Sequence, residues 1–147
     1  TIQSRGLGDV YKRQAYTADS FALAAAYVSA DGGTGAETTT WGLSGSYTFD
    51  SSSLPTLSAG YETQETGGVD SDGYFFGLTW PEVGPGSVSL GAATAGNFAS
   101  GAQEFMVYEA SYSYPVNDGL TISPGVIIQE TAGDDLTAIF VKSSFVF

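Results

Sequence analysis

The sequence predicts an all-β chain, an antiparallel meander of about eight amphipathic strands. Three observations carry this. Apolar residues recur at alternate positions over stretches of about ten residues, the period of a strand with two unlike faces. No stretch repeats with a helical period, and no run of about 18 apolar residues exists that would make a transmembrane helix. Stretches rich in Gly, Ser, Asp and Pro punctuate the alternation at regular intervals.

The strands follow in order. Residues 20–30 place Phe21, Leu23, Ala25 and Tyr27 on one face. Residues 39–49 place Trp41, Leu43, Gly45, Tyr47 and Phe49 there, and residues 56–64 place Leu57, Ala59 and Tyr61. Tyr74, Phe76, Leu78 and Trp80 mark the fourth strand, 73–80, and Val88, Leu90 and Ala92 the fifth, 87–95. The sixth, 104–114, carries Met106, Tyr108, Ala110, Tyr112 and Tyr114. The seventh, 120–130, carries Leu120, Ile122, Pro124, Val126 and Ile128. A proline inside a strand removes a ladder donor, so a local bulge is expected at Pro124. The eighth, 136–147, shows Ile139, Val141, Ser143, Phe145 and Phe147 on one face. Each strand approaches the ~9–11 residues that a tilted strand needs to cross a bilayer.

That last strand, apolar on one face and ending in Phe147, resembles the end of bacterial outer-membrane β-barrels, where the assembly machinery reads the terminal strand. The resemblance puts the C-terminus on the periplasmic side. Periplasmic turns then fall at 50–55, 81–86 and 115–119, and surface loops at 31–37, 65–72, 96–102 and 131–135. This orientation gathers Tyr47, Phe49, Trp80, Tyr112, Tyr114, Phe145 and Phe147 at the inner ends of their strands, as a periplasmic aromatic girdle requires. A soluble sandwich has no reason to collect aromatics at one end of several strands. The fold class is therefore read as the C-terminal part of a transmembrane β-barrel.

The first fourteen residues look foreign. Asp9 to Gln14 back-translate into one reading frame of a transposon end used to fragment DNA for sequencing. Residues 1–14 are expected to be an adapter scar that adds no strand to the sheet, and residues 15–147 a partial outer-membrane barrel whose native start is missing. The whole chain has four basic and 16 acidic residues and a net charge of −12. Arg5, Lys12, Arg13 and Asp9 lie in the first fourteen, so from Ala15 onward one cation, Lys142, faces 15 acids, a net charge of −14. No basic stripe exists for nucleic acid.

Most acids lie at the surface side. Glu65, Asp70, Asp72, Asp134 and Asp135 are the candidate acidic mouth, and such a mouth concentrates cations. Asp70 with Asp72 and Asp134 with Asp135 lack the ligand spacing of a calcium loop and read as solvated acids. With no His and no Cys in the 147 residues, the chain has no triad base and no thiol nucleophile. No catalytic residue, cofactor or metal ligand is assigned, and no enzymatic activity is expected.

The face opposite the apolar one carries mostly small residues: Gly42, Ser44, Ser46 and Thr48, then Ser58, Gly60 and Glu62, then Ser87, Ser89, Gly91 and Ala93. An eight-stranded barrel is filled by its own side chains, and residues this small would leave a void. The strands are therefore expected to belong to a wider, water-filled barrel, and as a lone piece the sheet is expected to stay open. Glu109 and Lys142 are the candidate lumen-facing charges. Each lies five residues before a girdle aromatic and they are one strand apart, which puts them at similar depth with backbones ~9–10 Å apart.

The stretches 57–61 (LSAGY), 74–80 (YFFGLTW), 112–115 (YSYP), 119–125 (GLTISPG) and 140–145 (FVKSSF) resemble the C-terminal portion of cyanobacterial outer-membrane porins, a group similar to carbohydrate-selective porins and often labelled iron-uptake porin. The resemblance implies a passive outer-membrane channel for small hydrophilic solutes or ions, either carbohydrate or inorganic ion. It also implies more than eight strands, a signal peptide and a wall-anchoring domain. Expected partners are outer-membrane lipid, the barrel-assembly machinery through the C-terminal strand, and further copies in a homotrimer. Two rival readings stay open: a small complete barrel acting as a structural or adhesive surface protein, and a secreted soluble β-sandwich.

Overall fold

In a computed structural model, residues 2–5, 9–31 and 36–146 are described. They form a single antiparallel sheet without a helix. The strands are β1 (Ile2–Arg5), β2 (Asp9–Thr17), β3 (Phe21–Asp31), β4 (Glu37–Tyr47), β5 (Thr56–Thr66), β6 (Val69–Val83), β7 (Gly86–Thr94), β8 (Phe98–Ala99), β9 (Met106–Asn117), β10 (Leu120–Gln129) and β11 (Leu136–Phe145). Every strand pairs with its neighbours in sequence, except that two-residue β8 pairs β6 above the end of β7, leaving β7 beside β9. Among the described residues no pairing joins β1 to β11, so the sheet stays open.

Register fixes the faces, because residues directly opposite each other across an antiparallel pair point the same way. Leu43 opposes Ala25 and Tyr61, Leu78 opposes Leu57 and Leu90, and Val126 opposes Ala110 and Ile139. One apolar face therefore runs unbroken from β3 to β11. Nothing covers it: no described apolar residue is buried, and Ile139 is 84% exposed, Phe145 62% and Leu43 56%. A water-soluble sandwich would turn this face inward onto a second sheet.

The other face is concave. A groove of about 510 Å³ touches β2 through β7 together, with Arg13, Ala26, Gly42, Glu62, Gly73 and Ala93 on its walls. On this face stand four cross-strand hydroxyl pairs: Thr38 with Thr66 at 3.0 Å, Thr48 with Thr56 at 3.1 Å, Thr79 with Ser89 at 3.3 Å and Ser113 with Ser123 at 2.9 Å. Two rings also lie here, each over the glycine directly opposite it. Phe75 covers Gly60 and Phe140 covers Gly125, and a Cβ at either glycine would run into the ring.

The structure corrects three expectations. Residues 9–14 lie within β2, which pairs β3 from Val10 opposite Ser29 to Thr17 opposite Ala22, so the first fourteen residues do add strand. The unpaired N–H and C=O row at the β3 edge accepts an extended neighbour whatever its side chains. Pro124 makes no bulge: the β10–β9 ladder skips Ser123 and Pro124 with the register intact on either side, and the irregularity falls at Leu120 and Thr121 instead. The proline lacks one N–H, which opens the ladder locally without inserting a residue. The expected loop 65–72 is a two-residue hairpin turn. Gly67 and Gly68 have φ of 59° and 80°, the left-handed pair that a tight hairpin demands, so pairing reaches Thr66 opposite Val69.

Candidate functional site

The strands have two ends. The lower end holds the turn at Gly84 (φ 61°) and Pro85 and the turn at Asp118 and Gly119; the upper end holds the Gly67–Gly68 turn. On the apolar face the lower end carries Phe21, Tyr47, Trp80, Tyr112, Tyr114 and Phe145. Phe49 lies beyond β4 with its ring 4.9 Å from that of Tyr47, edge to face. Phe147 lies outside the described residues. The Tyr112 hydroxyl donates to the Val83 carbonyl at 3.0 Å and fastens the β6–β7 turn to β9.

Sequence reasoning named only this row. The upper end carries a second on the same face: Tyr27 opposite Trp41, then Tyr61 opposite Tyr74, then Tyr108. Trp41 and Tyr61 pack edge to face at 6.1 Å. The hydroxyl of Tyr74 donates to Glu104 Oε2 and that of Tyr108 to Glu130 Oε1, each at 3.2 Å. Six residues separate the two rows on β4 (Trp41 to Tyr47) and on β6 (Tyr74 to Trp80), about 20 Å along a strand. The signal was present in the sequence, as Trp41 and Tyr74 each precede a girdle aromatic by six.

Both rows run obliquely to the hydrogen-bond direction. Tyr47 leads through the register to Leu57, Leu78, Leu90, Ala110, Val126 and Ile139. Trp80 and Tyr112 stand two residues below that line, Tyr114 four and Phe145 six. The drift is about one residue per strand, ~3.3 Å down for ~4.8 Å across. Two level belts on strands tilted by about 35° would drift in this way, and that is the tilt of barrel strands. The upper row drifts in the same direction. Two parallel aromatic belts bounding an exposed apolar band are the outward surface of a transmembrane barrel.

Of the acids assigned to the mouth, Glu65 and Asp70 oppose each other across the β5–β6 hairpin. With Asp72, opposite Thr63, they continue the apolar face above the upper belt rather than the concave face. Asp134 and Asp135 lie in the β10–β11 connection, where the Thr131 hydroxyl donates to the Asp134 carbonyl at 2.9 Å.

The concave face of β3 to β11 carries three charges: Glu62, Glu109 and Lys142. Glu109 opposes Gly91 and Ile127, whereas Lys142 opposes Ser123, the partner of Ser113. Lys142 is thus four residues along and two strands over from Glu109, about 16 Å in the plane of the sheet. The expected ~9–10 Å separation is corrected: level depth on tilted strands is not level register. Alternation already puts Glu62 on this inward face, but its nearness to the turn grouped it with the loop acids, so it was not singled out beside Glu109 and Lys142.

Of the three, Glu62 is held by a side-chain hydrogen bond: Asn97 Nδ2 donates to its Oε1 at 2.8 Å. Above Thr94, β7 leaves β6, and pairing resumes at Phe98 opposite Asp72. Gly73 and Tyr74 thus face Thr94 to Asn97, two residues against four, an enlarged bulge. The Thr94 hydroxyl takes the freed Tyr74 N–H at 3.1 Å. A Cβ at Gly73 would run into Asn97 Oδ1, so the glycine seats the amide against the sheet.

Among the described residues no group of three or more Asp or Glu could hold a metal ion. No curated protein and no solved structure matches the chain. Residues 5–134 match the family of Gram-negative porins. An open, tilted, single-layer sheet with an exposed apolar face and a small-residue concave face is consistent with such a barrel, and the chain belongs to the Gram-negative porin family, whose members are outer-membrane channels.

Proposed function

We propose that this chain lines a passive, water-filled channel for small hydrophilic solutes or ions, with a preference for cations. The observation that carries the reading is the split between faces: aromatic and aliphatic side chains on one, and glycine, serine, threonine and alanine on most of the other. Small neutral residues leave room for water, where a closed small barrel needs bulk to fill it. That argues against a complete eight-stranded structural barrel and for this chain as the C-terminal portion of a wider one. The excess of acids beyond residue 14 supports the sign of the selectivity, through a field that concentrates cations and is screened over about 8 Å at physiological salt.

The finer features of the resemblance belong to the same proposal: kinship with cyanobacterial porins, recognition of the C-terminal strand by the assembly machinery, and a homotrimer. Residues 1–14 are proposed to be foreign to the native gene. Reconstitution of the full-length porin in planar bilayers and in liposomes tests the function. Conductance steps, a cation-selective reversal potential that weakens as salt rises, and swelling in small sugars are expected. Absence of conductance, or anion selectivity at low salt, would sink it.

A further inference from the structure

We propose that Glu62, positioned by Asn97 on the concave face, is the residue that sets the channel's preference for cations. The inference rests on the concave face being the lumen, and it moves the origin of selectivity from the rim into the wall.

Depth is the first argument. On tilted strands, level position is read from the aromatic belts and not from register. Glu62 follows Tyr61, and Glu109 follows Tyr108, both of the upper belt. Because β5 ascends and β9 descends, Glu62 stands one residue above the upper belt and Glu109 one residue below it, ~6 Å apart along the strand direction and on strands three apart. Lys142 lies three residues below Ile139, and lower than both.

Surroundings are the second. Glu62 opposes Gly42 on one side and Gly73 on the other. With no side chains on its cross-strand neighbours, the carboxylate is open to whatever passes. Asn97 is the contact that holds it, and the four-against-two bulge brings Asn97 there. A neutral amide fixes the direction of the carboxylate and leaves its charge intact, where a lysine or arginine would cancel it. Glu65, Asp70 and Asp72 by contrast continue the outward face above the belt, with the wall of the sheet between them and the lumen. Their field reaches the permeating ion only through the rim, and salt screens it.

Reversal potentials of the full-length porin in planar bilayers, under a potassium chloride gradient near 0.1 M, test this. Glu62→Gln is expected to lower the cation-to-anion permeability ratio about two- to threefold, with unit conductance retained. Asn97→Ala keeps the charge and frees its direction. It is expected to lower the ratio less and to broaden the spread of conductance levels, and Asn97→Gln is expected to restore part of the effect. The triple change Glu65→Gln, Asp70→Asn, Asp72→Asn is expected to leave the ratio within the scatter of the unaltered protein. A conducting Glu62→Gln channel with an unchanged reversal potential would overturn the inference while the channel reading stands, and so would a larger loss from the triple change. No conductance from the unaltered protein would overturn the channel reading itself.

Discussion

The two ends of the sheet obey different rules. From β3 to β11 the apolar face admits no charge between the two belts. On β2 the same face carries Gln14 opposite Ala25 and Lys12 opposite Tyr27. Tyr16, opposite Leu23 and 5.8 Å from the Phe21 ring, still keeps the pattern. The break in the pattern therefore falls between Tyr16 and Gln14, beside the boundary proposed for the foreign segment. Backbone pairing is indifferent to this difference, since an edge strand offers the same donors and acceptors to any extended chain. Solvent is not indifferent, because a cation in hydrocarbon is costly at every position where lipid is met.

Four measurements on this chain refolded into lipid vesicles, each read by urea unfolding, break or sharpen the contrast. The largest effect is expected from Leu43→Arg, which puts a cation between the belts on β4. About 2–4 kcal/mol of stability should be lost, and a loss below about 1 kcal/mol would mean that the face does not meet lipid. Next is Gly60→Val, which drives the Phe75 ring off its seat on the concave face. Overpacking of this kind costs about 1–3 kcal/mol, and unchanged stability would remove the ring-over-glycine contact from the account. Tyr74→Phe deletes one hydrogen bond to Glu104 at the upper belt, and a loss of about 0.5–1.5 kcal/mol is expected. Smallest is Lys12→Leu. If β2 is an accidental edge, the change stays within about 0.5 kcal/mol; a gain comparable in size to the Leu43→Arg loss would show that β2 crosses lipid in earnest. Sequencing the source gene upstream of Ala15 tests the same point independently: codons for residues 1–14 there would show that β2 is native.

The eight central strands were legible because their faces alternate over lengths that fit a bilayer, and because Phe21, Tyr47, Trp80 and Tyr114 sit where strands begin or end. Three features were not legible, each for a physical reason. The Gly67–Gly68 hairpin was hidden by its acids: Glu65, Asp70 and Asp72 read as a solvated loop, although two consecutive glycines are a tight-turn signal. The bulge that delivers Asn97 depends on where β7 leaves β6, which is decided by pairing across strands and not by any local pattern. The true spacing of Glu109 and Lys142 depends on accumulated register over two ladders, and counting back from an aromatic recovers depth but not distance along the sheet.

The hydroxyl pairs on the concave face have a consequence for what such a wall presents to a moving ion. Either member of each pair can be the donor. Reversing a pair needs only the rotation of two C–O bonds, with no movement of backbone. Such pairs have no permanent polarity: they can turn their oxygens toward a cation and their hydrogens toward an anion, then relax when it has gone. A wall of this kind behaves as a compliant dielectric. It stands in for part of an ion's lost hydration without favouring either sign, and discrimination is left to the few fixed charges mounted on it.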